Sequence, residues 1–419
     1  MKSLLPSFLG NWRRTLLSIF IGALLIRGGF VLTLQDGFYF PDSIEYSGAA
    51  LNLLMSGELG AYNRPPAYPV FLAGIYLFFG ESILAVRMVE SVMGALLAVI
   101  IALIGKRIGG QTVGAIAGIL WSIYPLGVFI VGVLYPTNLL TVLLAGGVLC
   151  FLPDSQQEFS PKRLFAAGVL WGLAALTIPV ALATIGVIGL WLIYWGRGNR
   201  LRLLSLLFLG AALVVLPWAI RDFYVYGRVV IVEPRVIQHL PTMRSAEGER
   251  QGGKVEAILN HPDEFAARYA GHFLHFWQLY PDRMAMDKPE YRKQWNKMDQ
   301  RVVKDTILAA NDLINAVGIL STGPLFLFAI IGTLAMFVEQ KRRRYVSLLW
   351  GLILSFAVIY SMFVTRTRYR IPIEPYFTIL SAYGLKMAWS MMAARFEFGV
   401  SHHRDRLDTP RRAQRSHPL

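Results

Sequence analysis

Cysteine is almost missing from this chain of 419 residues: Cys150 is alone, and it lies inside an apolar run. One thiol builds no intrachain disulfide framework and no cysteine-based metal site, and it leaves the redox compartment open. Charge is scarce too. Asp, Glu, Lys and Arg make up 16% of the residues against 55% hydrophobic ones, with a mean hydropathy of +0.48. These proportions exclude an ordinary soluble domain, because no soluble fold could hide so many long apolar runs. The net charge of +15 would raise nucleic-acid binding in a soluble chain, but here that partner is set aside. Short alternating segments are also lacking, which excludes a transmembrane β-barrel and leaves helices to do the spanning.

Taking roughly 20 residues as a crossing length, the apolar runs predict about ten spans. They cover 16–34, 83–104, 112–131, 139–152, 164–178, 180–195, 203–220, 318–338, 346–364 and 371–392. The two either side of Pro179 are short. The run 67–79 has the length of an interfacial or re-entrant helix and is left out, a choice that the positive-inside rule supports. With it excluded, Lys2/Arg13/Arg14, Lys106/Arg107, Lys162/Arg163, Arg197/Arg200/Arg202, Lys341 to Arg344 and the tail from Arg395 all face the cytoplasm. These segments hold 20 basic and six acidic residues, +14 of the overall +15. The amino terminus resembles a signal peptide but has no A-x-A-like site and a run long enough to span, so it reads as an uncleaved first helix. No long internal repeat is evident, and the polar tail 401–419 is expected to be disordered.

The expected architecture is an all-α polytopic membrane protein. A first transmembrane region (1–220) contains an extracytoplasmic loop at 35–82. An extracytoplasmic module (221–317) follows, then a second transmembrane region (318–394) and a basic cytoplasmic tail (395–419). In the first loop, Ile44, Leu51, Leu54 and Met55 recur at helical spacing, which suits an amphipathic helix at the membrane surface. Asp42 precedes it. Asp42 and Glu45 form a D-x-x-E capping pattern, the commoner role for such an Asp, while a carboxylate held at the membrane surface could equally be a general base.

The run Asp42, Ser43 and Tyr46, then Gly57, then Arg64-Pro65-Pro66-Ala67-Tyr68-Pro69 resembles the first loop of the family 39 glycosyltransferases of the GT-C class. These are the protein O-mannosyltransferase-like and aminoarabinose-transferase-like enzymes. Pro217-Trp218-Ala219-Ile220-Arg221-Asp222 and Arg368-Tyr369-Arg370-Ile371-Pro372-Ile373-Glu374-Pro375 agree in placement. The resemblance implies a GT-C-like fold and an inverting hexosyl transfer from a polyprenyl-phosphate donor to a protein, lipid or glycan acceptor on the outer face of the cytoplasmic membrane. In it Asp42 is the base, and no cofactor or metal takes part. The chain departs from the pattern in carrying Ser43 where many members have a second carboxylate, Ile178 where relatives often have Arg, and Thr137-Asn138 where many have a Glu. The absence of a Walker A motif, a dinucleotide fingerprint and a G-x-S-x-G elbow fits a donor already activated by a lipid phosphate.

Arg366, Arg368 and Arg370 lie in a short outward loop and run against the positive-inside trend. A departing lipid phosphate would explain them, with Arg370 first, Arg368 second and Arg64 a further candidate. Snorkelling to headgroups, or pairing with acids of the module, is the alternative. Arg27 and Arg87 are intramembrane charges and so candidates for a substrate cavity. Arg87 could instead pair with Glu90 one turn on, and Arg27 with Asp36 or Glu90. Tyr46 and Tyr68 complete the cavity candidates, with an interfacial aromatic belt as the other explanation for them, as for Tyr62 and Trp218. His272 and His275 have no third ligand at a convincing spacing. A lipid or glycan transporter is the competing functional class.

Overall fold

A computed structural model describes residues 11–59, 64–153, 159–196, 198–227, 259–279, 311–363 and 366–407. Its regular structure is helical: α1 (Trp12–Leu32), α2 (Pro41–Ser56), α3 (Ala67–Phe79), α4 (Ile83–Gly109), α5 (Gln111–Ile123), α6 (Pro125–Phe129) and α7 (Thr137–Phe151). Then come α8 (Pro161–Thr177), α9 (Ala181–Trp195), α10 (Arg200–Tyr226), α11 (Pro262–Phe276), α12 (Asn311–Val338), α13 (Arg343–Ser361) and α14 (Glu374–Leu407). A 3-10 segment, Thr367–Ile373, leads into α14. The chain is an all-α, multi-pass membrane protein.

Among the described residues, α1, α4, α10, α12 and α13 are long and apolar enough to cross a bilayer alone, and α5 with α6 makes a sixth crossing if the bent pair is one span. The expected spans at 139–152 and 180–195 are the 15-residue helices α7 and α9. Each rises about 22 Å, short of a hydrocarbon core of about 30 Å. Helices overrun the expected borders of the extracytoplasmic module: α10 continues to Tyr226 and α12 begins at Asn311. Between them only 259–279 is described, and Tyr62 of the first loop also lies outside the described residues. The backbone of α14 stays helical to Leu407, past the expected start of the disordered tail, in a stretch that has no proline.

The bundle has an apolar interior like that of a soluble protein, but its exposed helix faces are apolar as well. On α1, Leu17, Leu25 and Leu32 are exposed while Arg27 is fully buried with Ala23 and Val31. With lipid outside there is no hydrophobic reward for helix pairing, so close approach has to come from small residues. Gly168 on α8 and Gly210 on α10 supply it: a Cβ at either would lie 2.2 or 2.3 Å from a carbonyl oxygen of the other helix.

The two ends of the bundle differ in chemistry. At one end, Arg107 and Arg163 donate to carbonyls at the end of α7, Arg342 to Ile108 and Lys386 to Gly109. These are loops predicted to face the cytoplasm. The opposite end lies about 30 Å along α4, the rise from Arg107 back to Arg87. There the loops predicted to face outward converge.

Candidate active site

Two arginines fasten the frame on which the outward loops sit. Pro125 has no N–H to offer the carbonyl of Trp121, and the chain bends by 59° there. Arg27 fills the gap, donating to Trp121 O and Ser122 O at 3.1 Å each. It pairs with neither Asp36 nor Glu90, the partners considered from sequence. The expected pairing of Arg87 with Glu90 is also absent. Arg87 donates instead to Gly132 O (2.8 Å), Gln35 O (2.9 Å) and Gly37 O (2.7 Å), pinning the start of the first loop to the turn after α6. Both arginines satisfy carbonyls that helix ends and turns leave over, a demand that an i,i+3 carboxylate cannot meet.

That anchoring aims α2. The helix opens at Pro41, where a missing N–H is harmless, and closes at Gly57 with φ +74°. Its expected apolar stripe divides: Ile44 and Leu51 pack half-buried against the core while Leu54 and Met55 are exposed, and Ser43, Tyr46, Ser47 and Ala50 are buried. Ser43 donates to Leu134 O at 2.8 Å, and Ser47 bonds Tyr76 of α3 at 2.9 Å. The capping reading of Asp42 fails. Phe40 is the N-cap residue and no side chain caps the helix; Asp42 is already inside its first turn. Its carboxylate points across the site.

Three groups from three other segments meet it. Tyr135, just before α7, donates its hydroxyl to Asp42 Oδ2 at 2.9 Å. Arg64, before α3, donates to Asp42 Oδ1 at 3.2 Å and to Glu45 Oε2 at 2.7 Å, with its guanidinium over the Tyr46 ring. Arg368, in the 3-10 segment before α14, lies 3.8 Å from Asp42 Oδ2. Its guanidinium rests on the rings of Tyr135 (4.8 Å), Phe40 (5.3 Å) and Tyr369 (5.5 Å), and its buried Nε has no hydrogen-bond partner among the described residues. Burial opposes the charge on both arginines, but the neighbouring phenols and carboxylates outweigh it and raise their pKa values, so both stay cationic. Burial first, with the carboxylate and neighbouring phenols, pushes the Tyr135 phenol well above its ordinary range despite nearby Arg368, so it remains a donor to Asp42.

Arg370, the first choice from sequence among the loop arginines, is fully buried and committed elsewhere. Its Nε bonds Glu374 at 2.9 Å, and its Nη1 bonds Phe276 O (2.9 Å) and Gln278 O (2.7 Å) at the end of α11. Two residues of 3-10 geometry, about two thirds of a turn, separate its direction from that of Arg368, which sequence adjacency could not reveal. Arg366 is half-buried at the start of the same segment. Tyr68 is wholly buried and donates to Glu90 at 2.7 Å, with its ring edge-on to Tyr46. Asn138 donates to the Glu90 carbonyl.

Tyr135 was not singled out from sequence. The available signal was topological, since it occupies a seven-residue outward loop between two apolar runs, 132–138. The His272 and His275 pair serves packing in part: His272 contacts Ser361 O at 3.3 Å, joining α11 to α13.

Comparison with known proteins bears on the fold that carries this arrangement. Residues 63–220 match the family described as dolichyl-phosphate-mannose-protein mannosyltransferase. The solved structures include ArnT from Cupriavidus metallidurans bound to undecaprenyl phosphate, 16% identical with a TM-score of 0.52, covering 94% of this chain and 64% of that one. The Archaeoglobus fulgidus oligosaccharyltransferase in its apo form is 13% identical with a TM-score of 0.55, covering 92% and 52%. The archaeal oligosaccharyltransferase AglB from the same organism, in complex with an inhibitory peptide and a dolichol-phosphate, is 15% identical with a TM-score of 0.54, covering 98% and 53%. The chain therefore spans less than two thirds of each of these proteins. No curated protein sequence matches it.

Proposed function

We propose that this chain, which has the GT-C fold of membrane glycosyltransferases, transfers one hexose-type sugar from a polyprenyl-phosphate carrier to an acceptor hydroxyl at the outer face of the cytoplasmic membrane. The observation that carries the reading is the position of Asp42, a partly exposed carboxylate flanked by two charged arginines from different loops, Arg64 and Arg368. The likeness to proteins bound to undecaprenyl phosphate and to dolichol-phosphate supports the donor class.

The chemistry follows from the charges. Asp42 takes the proton of the acceptor hydroxyl, and the oxygen attacks the anomeric carbon on the face opposite the phosphate. The bond from that carbon to the phosphate oxygen breaks, the oxygen leaves with the electron pair, and the configuration inverts. Negative charge grows on the leaving polyprenyl phosphate, where Arg368 and Arg64 neutralise it through planar, charge-assisted hydrogen bonds. A phosphate entering between them also draws both arginines from Asp42 and frees its carboxylate to accept a proton. Arg366 adds charge at the mouth of the same loop. Arg370 holds the loop in place, and the module at 221–317 selects the acceptor.

The test is an assay with purified protein and polyprenyl-phosphate sugars, following release of free polyprenyl phosphate in the presence of peptide, lipid and glycan hydroxyl acceptors. Release coupled to a glycosylated product is the expected result. Movement of intact lipid between leaflets, with no phosphate freed, would establish the transporter class instead.

A further inference from the structure

Tyr135 touches four residues of the site, as many as Arg368 does. Its hydroxyl reaches Asp42 Oδ2 at 2.9 Å, its ring lies 4.8 Å under the Arg368 guanidinium, and its edge meets Tyr46 at 5.9 Å and Phe40 at 5.8 Å. The two ends of this side chain act on different partners. The hydroxyl fixes the rotation of the Asp42 carboxylate by occupying one of its oxygens. The ring face holds Arg368, whose closest ion pair, to that same carboxylate, is a loose 3.8 Å. The backbone alongside is fastened as well, because Ser43 bonds the carbonyl of Leu134, next in sequence to Tyr135. Helix α2 and the segment before α7 thus meet at two adjacent points, one backbone and one side chain.

We propose that Tyr135 is the positioning residue of the site, aligning the base through its hydroxyl and the phosphate-binding Arg368 through its ring. The proposal rests on the glycosyltransferase reading above and deepens it. It also accounts for a departure seen in the sequence. Where a second carboxylate would adjoin Asp42, Ser43 is turned inward as a clasp, so Asp42 is oriented by Tyr135 rather than by an acidic neighbour.

The two roles separate by substitution, because Phe keeps the ring and loses the hydroxyl while Leu loses both. In Tyr135→Phe, kcat should fall about tenfold or more, the worth of a hydrogen bond to a charged group, while donor Kd stays within about twofold of wild type. In Tyr135→Leu, kcat falls at least as far, and donor Kd, measured by titration of polyprenyl phosphate, also weakens by about threefold to thirtyfold as the cation–π support of Arg368 goes. A purely structural role predicts instead that both variants lose thermal stability and that kcat and Kd follow the folded fraction. Wild-type kcat in the Phe variant, at full thermal stability, would overturn the proposal, as would unchanged donor Kd in a folded Leu variant. If the Leu variant does not fold, the Phe result decides alone. Failure of the underlying reading looks different: wild-type protein would then release no polyprenyl phosphate at all.

Discussion

The Arg368 guanidinium stands 3.8 Å from the carboxylate of Asp42, although the two residues lie near opposite ends of the chain. An anion that enters between them meets one charge able to hold it and, beside it, one able to take a proton from whatever attacks it. The same contact brings together the first loop and the last outward loop, so the site exists only when both transmembrane regions are packed. The loop arginines are held by aromatic faces and backbone carbonyls as well as by carboxylates.

Removal of the base is the most direct test. Asp42→Asn should lower turnover by at least about a hundredfold, the usual contribution of a positioned general base. The side chain is about 30% exposed and caps nothing, so thermal unfolding of the purified variant should match wild type. Undiminished turnover would remove Asp42 from the mechanism.

The phosphate site predicts an ordered series in donor affinity. Arg368→Ala should weaken binding of polyprenyl phosphate by about tenfold to a hundredfold, the range for a lost charge-assisted hydrogen bond. Arg368→Lys should recover only part of that loss, because an ammonium keeps the charge but not the planar stacking on Tyr135 and Phe40. Wild-type affinity in the Lys variant would show that stacking has no part in it.

Arg27 should behave as a structural residue. Arg27→Ala leaves the buried carbonyls of Trp121 and Ser122 without their side-chain donor, at a cost of about 1–3 kcal/mol for each group left unsatisfied. A lower unfolding temperature with unchanged donor affinity is expected. The reverse pattern would return Arg27 to the substrate cavity.

Arg370 offers a test of a buried ion pair. Arg370→Ala leaves Glu374, which is fully buried, without its cation and should destabilise the protein by about 3–5 kcal/mol. The double variant Arg370→Leu with Glu374→Leu should be less destabilised than the single one, since the uncompensated charge is gone. If instead Arg370→Ala unfolds like wild type and loses donor binding, Arg370 contacts the phosphate directly.

Much of the fold could be read without coordinates, because each determinant is local. A hydrocarbon thickness imposes helix length, and the energetics of moving Lys and Arg across a membrane sort the loops by side. Those two constraints predicted which loops share an end, and Arg107, Arg163 and Arg342 do gather away from Asp42 and Arg368. The proposed site charges Asp42, Arg64 and Arg368 were singled out together with Arg366 and Arg370 for a related reason: they stand against the overall charge trend. Helix ends were less legible, as with α10 at Tyr226 and α14 at Leu407, because a helix continues wherever nothing stops it.

Partners were what sequence could not determine. Asp42 read locally as a cap and Arg87 as half of an i,i+3 pair, each by the nearest complementary group along the chain, while Arg370 read as the leading phosphate ligand from its place in a loop that breaks the positive-inside trend. In the folded protein every one of them is satisfied, at least in part, by a group distant in sequence: Tyr135, the carbonyls of Gln35 and Gly132, and those of Phe276 and Gln278. A bilayer offers no water to a carbonyl freed by a proline or a turn, so buried arginines go to backbone first and to carboxylates second. Composition and charge thus determined the helical, multi-pass architecture, because hydrocarbon thickness and charge act on each segment locally, while tertiary packing decided which arginines bond backbone carbonyls and which lie beside Asp42.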